Sequence, residues 1–171
     1  MDFFNEHIVL RKKDGKDYIK IFGMVVAALL LFFVLLTFSG YLASFFLLFV
    51  AGIIYLLYFG ISSLNIEYEY IVTNGDIDID KIVAKRKRTR IVSLNARDFE
   101  YFAPMTENHA NTYNNQSITK RLDVSSNTKN SRLYFGIYRK SNEKTCLIFE
   151  PTDKMLECFS RYVPKNAYYT T

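Results

Sequence analysis

Apolar side chains are distributed very unevenly along this chain. From Tyr18 to Phe38 the sequence reads YIKIFGMVVAALLLFFVLLTF, and from Tyr41 to Leu64 it reads YLASFFLLFVAGIIYLLYFGISSL. No charge occurs between Lys20 and Glu67. At about 1.5 Å of rise per residue, each run in helical form is long enough for the ~30 Å hydrocarbon core of a bilayer. Within lipid the backbone must satisfy its own hydrogen bonds, and a helix does so. Ser39-Gly40 separates the runs and is a natural helix terminator. The pattern predicts a hairpin of two transmembrane helices, 18–38 and 41–64. A secretory leader fits poorly, because the first run is too long, has no small-residue cleavage site and leads straight into a second apolar stretch. Arg11, Lys12, Lys13, Lys16 and Lys20 gather at the head of the first run, and the Ser39-Gly40 turn has no charge. By the positive-inside rule both termini are cytoplasmic in the cell membrane, with 1–17 as a short cytoplasmic lead. Gly23, Ala27, Ala28, Ala43, Ala51 and Gly52 offer places for close helix approach.

Beyond the apolar block the period changes to two. IEYEYIVT, then Asn74-Gly75, then DIDIDKIV reads as two strands joined by a type I′ turn. Alternation puts Ile66, Tyr68, Tyr70, Val72, Ile77 and Ile79 on a buried face, and Glu67, Glu69, Thr73, Asp76, Asp78 and Asp80 on a wet one. Further strands are expected at 89–94, 99–102 and, more weakly, 117–124, with polar loops at 103–116 and 125–131. RLYFGIYRK (132–140) and KTCLIFE (144–150) form a second hairpin turning at Ser141-Asn142. After Pro151, Thr152 can cap a helix whose apolar residues Met155, Leu156, Phe159, Tyr162 and Val163 share one face, and Pro164 ends it. The tail, 165–171, is expected to be loosely held.

About seven strands followed by one amphipathic helix make an α+β domain over 65–164. The element order, carried by EYEYIVTNGDIDIDKIVAKRKRTRIVSLNARDFEYF and CLIFEPTDKMLECFSRYVP, resembles the pleckstrin-homology (PH) fold, a bent antiparallel sheet or barrel with a C-terminal helix across one end. Together with the helix pair it resembles the bacterial PH-like membrane proteins, a group without an assigned common activity. The resemblance covers most of the chain and implies a cytoplasmic PH-like domain behind a membrane anchor. It does not imply phosphoinositide binding.

Charge adds one feature. The net charge is +5 over 171 residues, and Lys85, Arg86, Lys87, Arg88 and Arg90 form its densest cluster. That cluster suits contact with anionic lipid headgroups, and it equally suits a solvated, topology-setting edge. In a membrane-anchored chain it is not read as a nucleic-acid site. Glu69 should lie opposite Asp80, and the repulsion between them is relieved if the basic run folds back over it. A calcium loop fails, because position six from Asp76 is Lys81 and position twelve is Lys87.

No catalytic motif is present: the sequence lacks G-x-S-x-G, a P-loop, G-x-G-x-x-G and H-E-x-x-H. The apolar runs contain no Asp, Glu or His, which argues against a transporter. Cys146 and Cys158 are expected to be reduced and buried, His7 and His109 lie far from both in sequence, and neither a metal nor a cofactor is expected. Tyr134, Phe135, Tyr138, Phe149 and Phe159 read as core. The functional expectation is a non-enzymatic, membrane-anchored binding or scaffold module that recognises a protein or membrane component. An accessory subunit of a larger membrane complex and an anionic-lipid sensor remain open beside it.

Overall fold

The computed structural model describes residues 3–114, 117–128 and 131–169. In chain order the strands are β1 Phe4–Leu10, β2 Ile66–Thr73, β3 Asp76–Val83, β4 Lys87–Asn95, β5 Phe99–Pro104, β6 Lys120–Asp123, β7 Tyr134–Lys140 and β8 Glu143–Phe149. The helices are α1 Gly15–Thr37, α2 Phe46–Ser62, α3 Ala110–Tyr113 and α4 Asp153–Tyr162. The chain divides into two compact units. One holds Met1–Lys12, Glu67–Ile82 and Lys87–Thr171, and the other Lys13–Ile66 and Val83–Arg86.

The first unit is α+β and is built on two sheets, in the orders β1-β2-β3-β4 and β5-β7-β8-β6. The hairpin turns form because their residues tolerate a left-handed backbone: Asn74 (φ 49) and Gly75 (φ 90) in one, Ser141 (φ 50) and Asn142 (φ 68) in the other. Tyr70, Val72, Ile77 and Ile79 project inward from the first sheet, and Phe102, Leu147 and Phe149 from the second, whereas Phe135 packs on the second sheet's other face with Ala103, Ile137, Cys146 and Ile148. The Phe149 ring meets those of Tyr70 and Phe159, each at 6.0 Å between centroids. Each such side chain contributes about 1.5–3 kcal/mol by leaving water. Tyr70 Oη donates to the Val124 carbonyl at 2.6 Å, tying the first sheet to the segment that follows β6.

The C-terminal helix α4 starts where Thr152 Oγ1 accepts from Met155 N at 3.3 Å. It buries Met155, Leu156 and Phe159 as its periodicity requires. Tyr162 is only half-buried, its ring lying where a Cβ on Gly75 would stand, 2.7 Å from Cγ.

Four features differ from the sequence expectation. The N-terminal lead contains a strand: β1 pairs antiparallel with β2, from Phe4 opposite Thr73 to Leu10 opposite Glu67. With β1 there are eight strands among the described residues rather than about seven. The last strand of the second sheet, β6, runs parallel to β8, and the preceding loop holds a short 3-10 turn and α3. Parts of both polar loops, at 115–116 and 129–130, lie outside the described residues. Up to Tyr169 the tail is docked: Phe102 N donates to Ala167 O at 2.7 Å and Tyr169 N to Phe102 O at 2.9 Å. Ala167 is buried, and the Tyr169 ring stacks on Tyr101 at 4.3 Å. Aromatic burial there outweighs the fraying usual at a chain end.

The second unit is a pair of apolar helices. A reciprocal cap opens α1: Asp14 accepts from Asp17 N at 2.9 Å and Asp17 from Asp14 N at 3.3 Å. The pairing is antiparallel, since Met24 lies beside Gly60, Leu31 shares a recess with Ile53, and Leu35 shares one with Phe49. The close approach is at Gly60, where Met24 Sδ is 2.7 Å from the position of a Cβ; Gly23 and Gly52 face open space. The second helix begins at Phe46, not Tyr41. Residues 38–45 make turn hydrogen bonds, among them Tyr41 N to Phe38 O at 3.0 Å and Phe45 N to Leu42 O at 2.8 Å, where Ser39, Gly40 and Ser44 disfavour helix. Among the described residues α1 alone is long and apolar enough to cross a membrane by itself, and α2 is a shorter apolar helix.

Candidate functional site

The basic run at 85–90 is divided by the fold. Arg88 and Arg90 belong to β4 and lie over the acidic face of the neighbouring strands. Arg88 Nη2 donates to Glu69 Oε1 at 2.8 Å. Arg90 holds Asp78 through Nη1 at 2.7 Å and Asp80 through Nε. This is the fold-back expected from the charge pattern, and it changes the predicted wet face. Glu69 and Asp80 are each only 3% exposed, because arginine side chains cover them. Asp76 stays exposed and accepts from Asn95 Nδ2 at 2.7 Å.

Burial pushes the Glu69 carboxyl above its ordinary range, against the pull of Arg88; Glu6 hydrogen-bonds beside it and, with Asp80, adds to the rise. Among the described residues no hydrogen bond of good geometry reaches Glu69 Oε2. The Arg90 guanidinium is held charged by Asp80 and Asp78. These two arginines therefore neutralise the sheet's own carboxylates.

Lys85 and Arg86 lie in the helical unit. Val83, Ala84, Lys85 and Arg86 form a tight turn, with Arg86 N donating to Val83 O at 3.0 Å. Ala84 (φ 53) and Lys85 (φ 56) are both left-handed, a conformation that costs residues with a Cβ about 1–2 kcal/mol each. Ala84 N donates to Asn65 O at 2.8 Å, which fastens the turn to the chain leaving α2. The Arg86 guanidinium lies 4.6 Å from the Phe59 ring centroid and hydrogen-bonds Ser62 Oγ. Lys85 and Arg86 are exposed, and neither makes an ion pair among the described residues. Lys87, the first residue of β4, is exposed as well. Phe59 and Ser62 escaped the sequence reading because no local pattern joins them to Arg86, more than twenty positions away.

The remaining reactive side chains sit in packing roles. Cys146 and Cys158 are free and buried. Burial pushes the Cys146 thiol up to about 11 and raises that of Cys158. His7, in β1, faces the Tyr70 ring at 6.3 Å. His109 is 7% exposed, with Nδ1 2.7 Å from Tyr101 Oη and Nε2 without a partner among the described residues. Tyr134, Phe135, Tyr138, Phe149 and Phe159 are all core residues. Among the described residues no group of three or more His, Cys, Asp or Glu is placed to hold a metal ion.

No curated protein and no solved structure matches this chain. The family described as Bacterial PH-like domain (DUF6106) matches residues 1–169, taking in β1, both apolar helices and the docked tail as well as the two sheets. With nearly the whole chain matched, the chain belongs to the DUF6106 family of bacterial PH-like domains.

Proposed function

We propose that this protein is a non-enzymatic, membrane-anchored binding or scaffold module. In this reading α1 and α2 cross the membrane together as a hairpin, and the PH-like unit stands on the cytoplasmic side, where it recognises a protein or a membrane component. The observation that carries it is the pairing of β1 with β2. With Leu10 opposite Glu67, the chain leaves and re-enters one sheet on adjacent strands. Both ends of the helical segment then belong on one side of the bilayer, so the number of crossings is even. A cleaved leader is disfavoured by the same pairing, since cleavage after α1 would remove β1. A buried core helix is disfavoured by exposure, because only 6% of the most apolar stretch of α1 is buried. At 17 residues α2 is at the short end of the spanning range, and the apolar turn Tyr41–Phe45 extends its reach. Fixed charges at one end only, among them Lys13, Lys16 and Lys20, set the cytoplasmic side. The thiols are held protonated by burial, which supports a role in packing rather than chemistry.

The test is labelling of single introduced cysteines in intact bacterial cells with a membrane-impermeant maleimide, after alkaline carbonate extraction has established insertion. Ser39→Cys should label from outside and Lys154→Cys only after lysis. Release of the chain by carbonate, or labelling of both positions from the same side, would refute the hairpin.

A further inference from the structure

We propose that the turn Val83–Arg86 is a seat for the phosphate of an anionic phospholipid at the membrane surface, with Arg86 as the contacting group, Lys85 next to it in the turn and Lys20 at the same end of the helix pair. This deepens the membrane-anchored reading and rests on it.

Three observations converge. The turn is built from Ala84 and Lys85 in left-handed geometry, with no Gly or Asn to ease it. Strain of this kind persists only where surrounding contacts over-determine it, and it gathers at ligand clamps. Here the contacts are the bond from Ala84 N to Asn65 O and the packing of Arg86 on Phe59 and Ser62. These fix the guanidinium while committing one of its donors to a neutral hydroxyl. The residue is otherwise exposed, and a planar guanidinium presents paired donors that match phosphate oxygens.

The level of the turn along the helix pair is also fixed. With Met24 beside Gly60 in an antiparallel pair, Lys20, one turn earlier in α1, stands level with Leu64, at the exit of α2. Lys16 lies a further turn out. These cations and the Val83–Arg86 turn therefore occupy the charged end of the unit, at headgroup depth once the apolar lengths are in lipid. Arg88 and Arg90, although adjacent in sequence, are taken up by carboxylates. A competing role for Arg86 is purely structural: the last turn of α2 holds no basic residue, and Arg86 could offset its dipole from outside.

Full-length protein in phosphatidylcholine vesicles, doped with spin-labelled phosphatidylglycerol or spin-labelled phosphatidylcholine, separates these possibilities. The motionally restricted fraction of each label gives its relative affinity for the protein. Wild type should favour phosphatidylglycerol by about fivefold or more, the size expected of one interfacial cation. Arg86→Gln should remove about fivefold of that preference, Arg86→Lys should keep part of it, and the charge-matched Lys154→Gln on α4 should keep all of it. Should Arg86→Gln fail to fold, Lys85→Gln together with Arg86→Lys serves, with a reduced preference expected. Added inorganic phosphate should leave the preference intact, and its abolition by phosphate would overturn a lipid as the source. Equal restriction of both labels in wild type, or an undiminished preference in Arg86→Gln, would overturn the proposal and leave Arg86 as a helix cap. Restriction of neither label would overturn the membrane reading itself.

Discussion

Gly136 sits in the middle of β7 under the ring of Phe99. An added Cβ would stand 2.7 Å from Cδ1 and 2.8 Å from Cζ of that ring, and closer still to Cε1. The ring has no room to retreat. Phe99 is 2% exposed, and its ring is 5.5 Å from that of Phe102 and 6.3 Å from that of Tyr138. Gly136→Ala therefore forces a buried aromatic off its rotamer or parts β5 from β7, and should cost ~3 kcal/mol, the upper end of ordinary overpacking. Phe99→Ala alone should cost ~3–5 kcal/mol through the cavity it leaves. With the ring gone, the new methyl group enters that cavity, and Gly136→Ala should become neutral or stabilising. The double variant should then fall short of the summed costs by ~3 kcal/mol. The chain has no Trp and 13 Tyr, so urea unfolding of the full-length protein in detergent is best followed by tyrosine circular dichroism in the near ultraviolet. Additivity within ~0.5 kcal/mol would refute the argument, because independent sites add to that tolerance.

Three further outcomes are expected. Gly75→Ala should destabilise by ~2 kcal/mol or more, since φ is +90 and the Tyr162 ring occupies the Cβ position; Tyr162→Ala in the same chain should recover only the steric part in chemical denaturation. Glu69 has a folded-state pKa above its ordinary 4.5, so the stability it contributes is present below that value and is lost as pH rises through it. Stability-against-pH curves should show Glu69→Gln gaining on wild type from acid to neutral pH, and a constant difference would contradict the assignment. With the Cys146 thiol pushed up to about 11 and Cys158 buried, neither should react with a disulfide reagent at pH 8 until the protein is unfolded; rapid reaction of native protein would show that β8 opens, if at Cys146, or that α4 lifts away, if at Cys158.

What the sequence revealed depended on how local the signal was. Asn74-Gly75 and Ser141-Asn142 announce their hairpins because those residues accept positive φ. Thr152 and the spacing from Met155 to Phe159 announce α4 for the same local reason. The third tight turn uses Ala84 and Lys85, which advertise nothing, and its geometry is imposed by Asn65 and the end of α2. For β1 the difficulty is distance: FNEHIVL is too short to be read alone, and its partner β2 lies beyond both apolar helices. The parallel pairing of β6 with β8 is equally non-local. Within the candidate site, the cover that Arg88 and Arg90 give Glu69 and Asp80 followed from charge alternation on the strands, whereas the seat of Arg86 on Phe59 and Ser62 did not.

The insertion of the helix pair between β1 and β2 bears on how the protein is made. As a free chain, the segment from Arg11 to Ile66 would be a long loop, and bringing Leu10 to Glu67 across it would cost ~3–4 kcal/mol in the length-dependent part of the closure entropy. Under the membrane-anchored reading proposed above, helices paired in lipid would hold the two ends near each other and remove most of that cost. The ribosome also releases β1 long before β2. In that reading the edge of the first sheet would wait, unpaired, until the hairpin reached the bilayer. Completion of the sheet would then be a late step that reports successful insertion, and a chain that failed to insert would keep both β1 and the open edge of β2 exposed to aggregation and proteolysis.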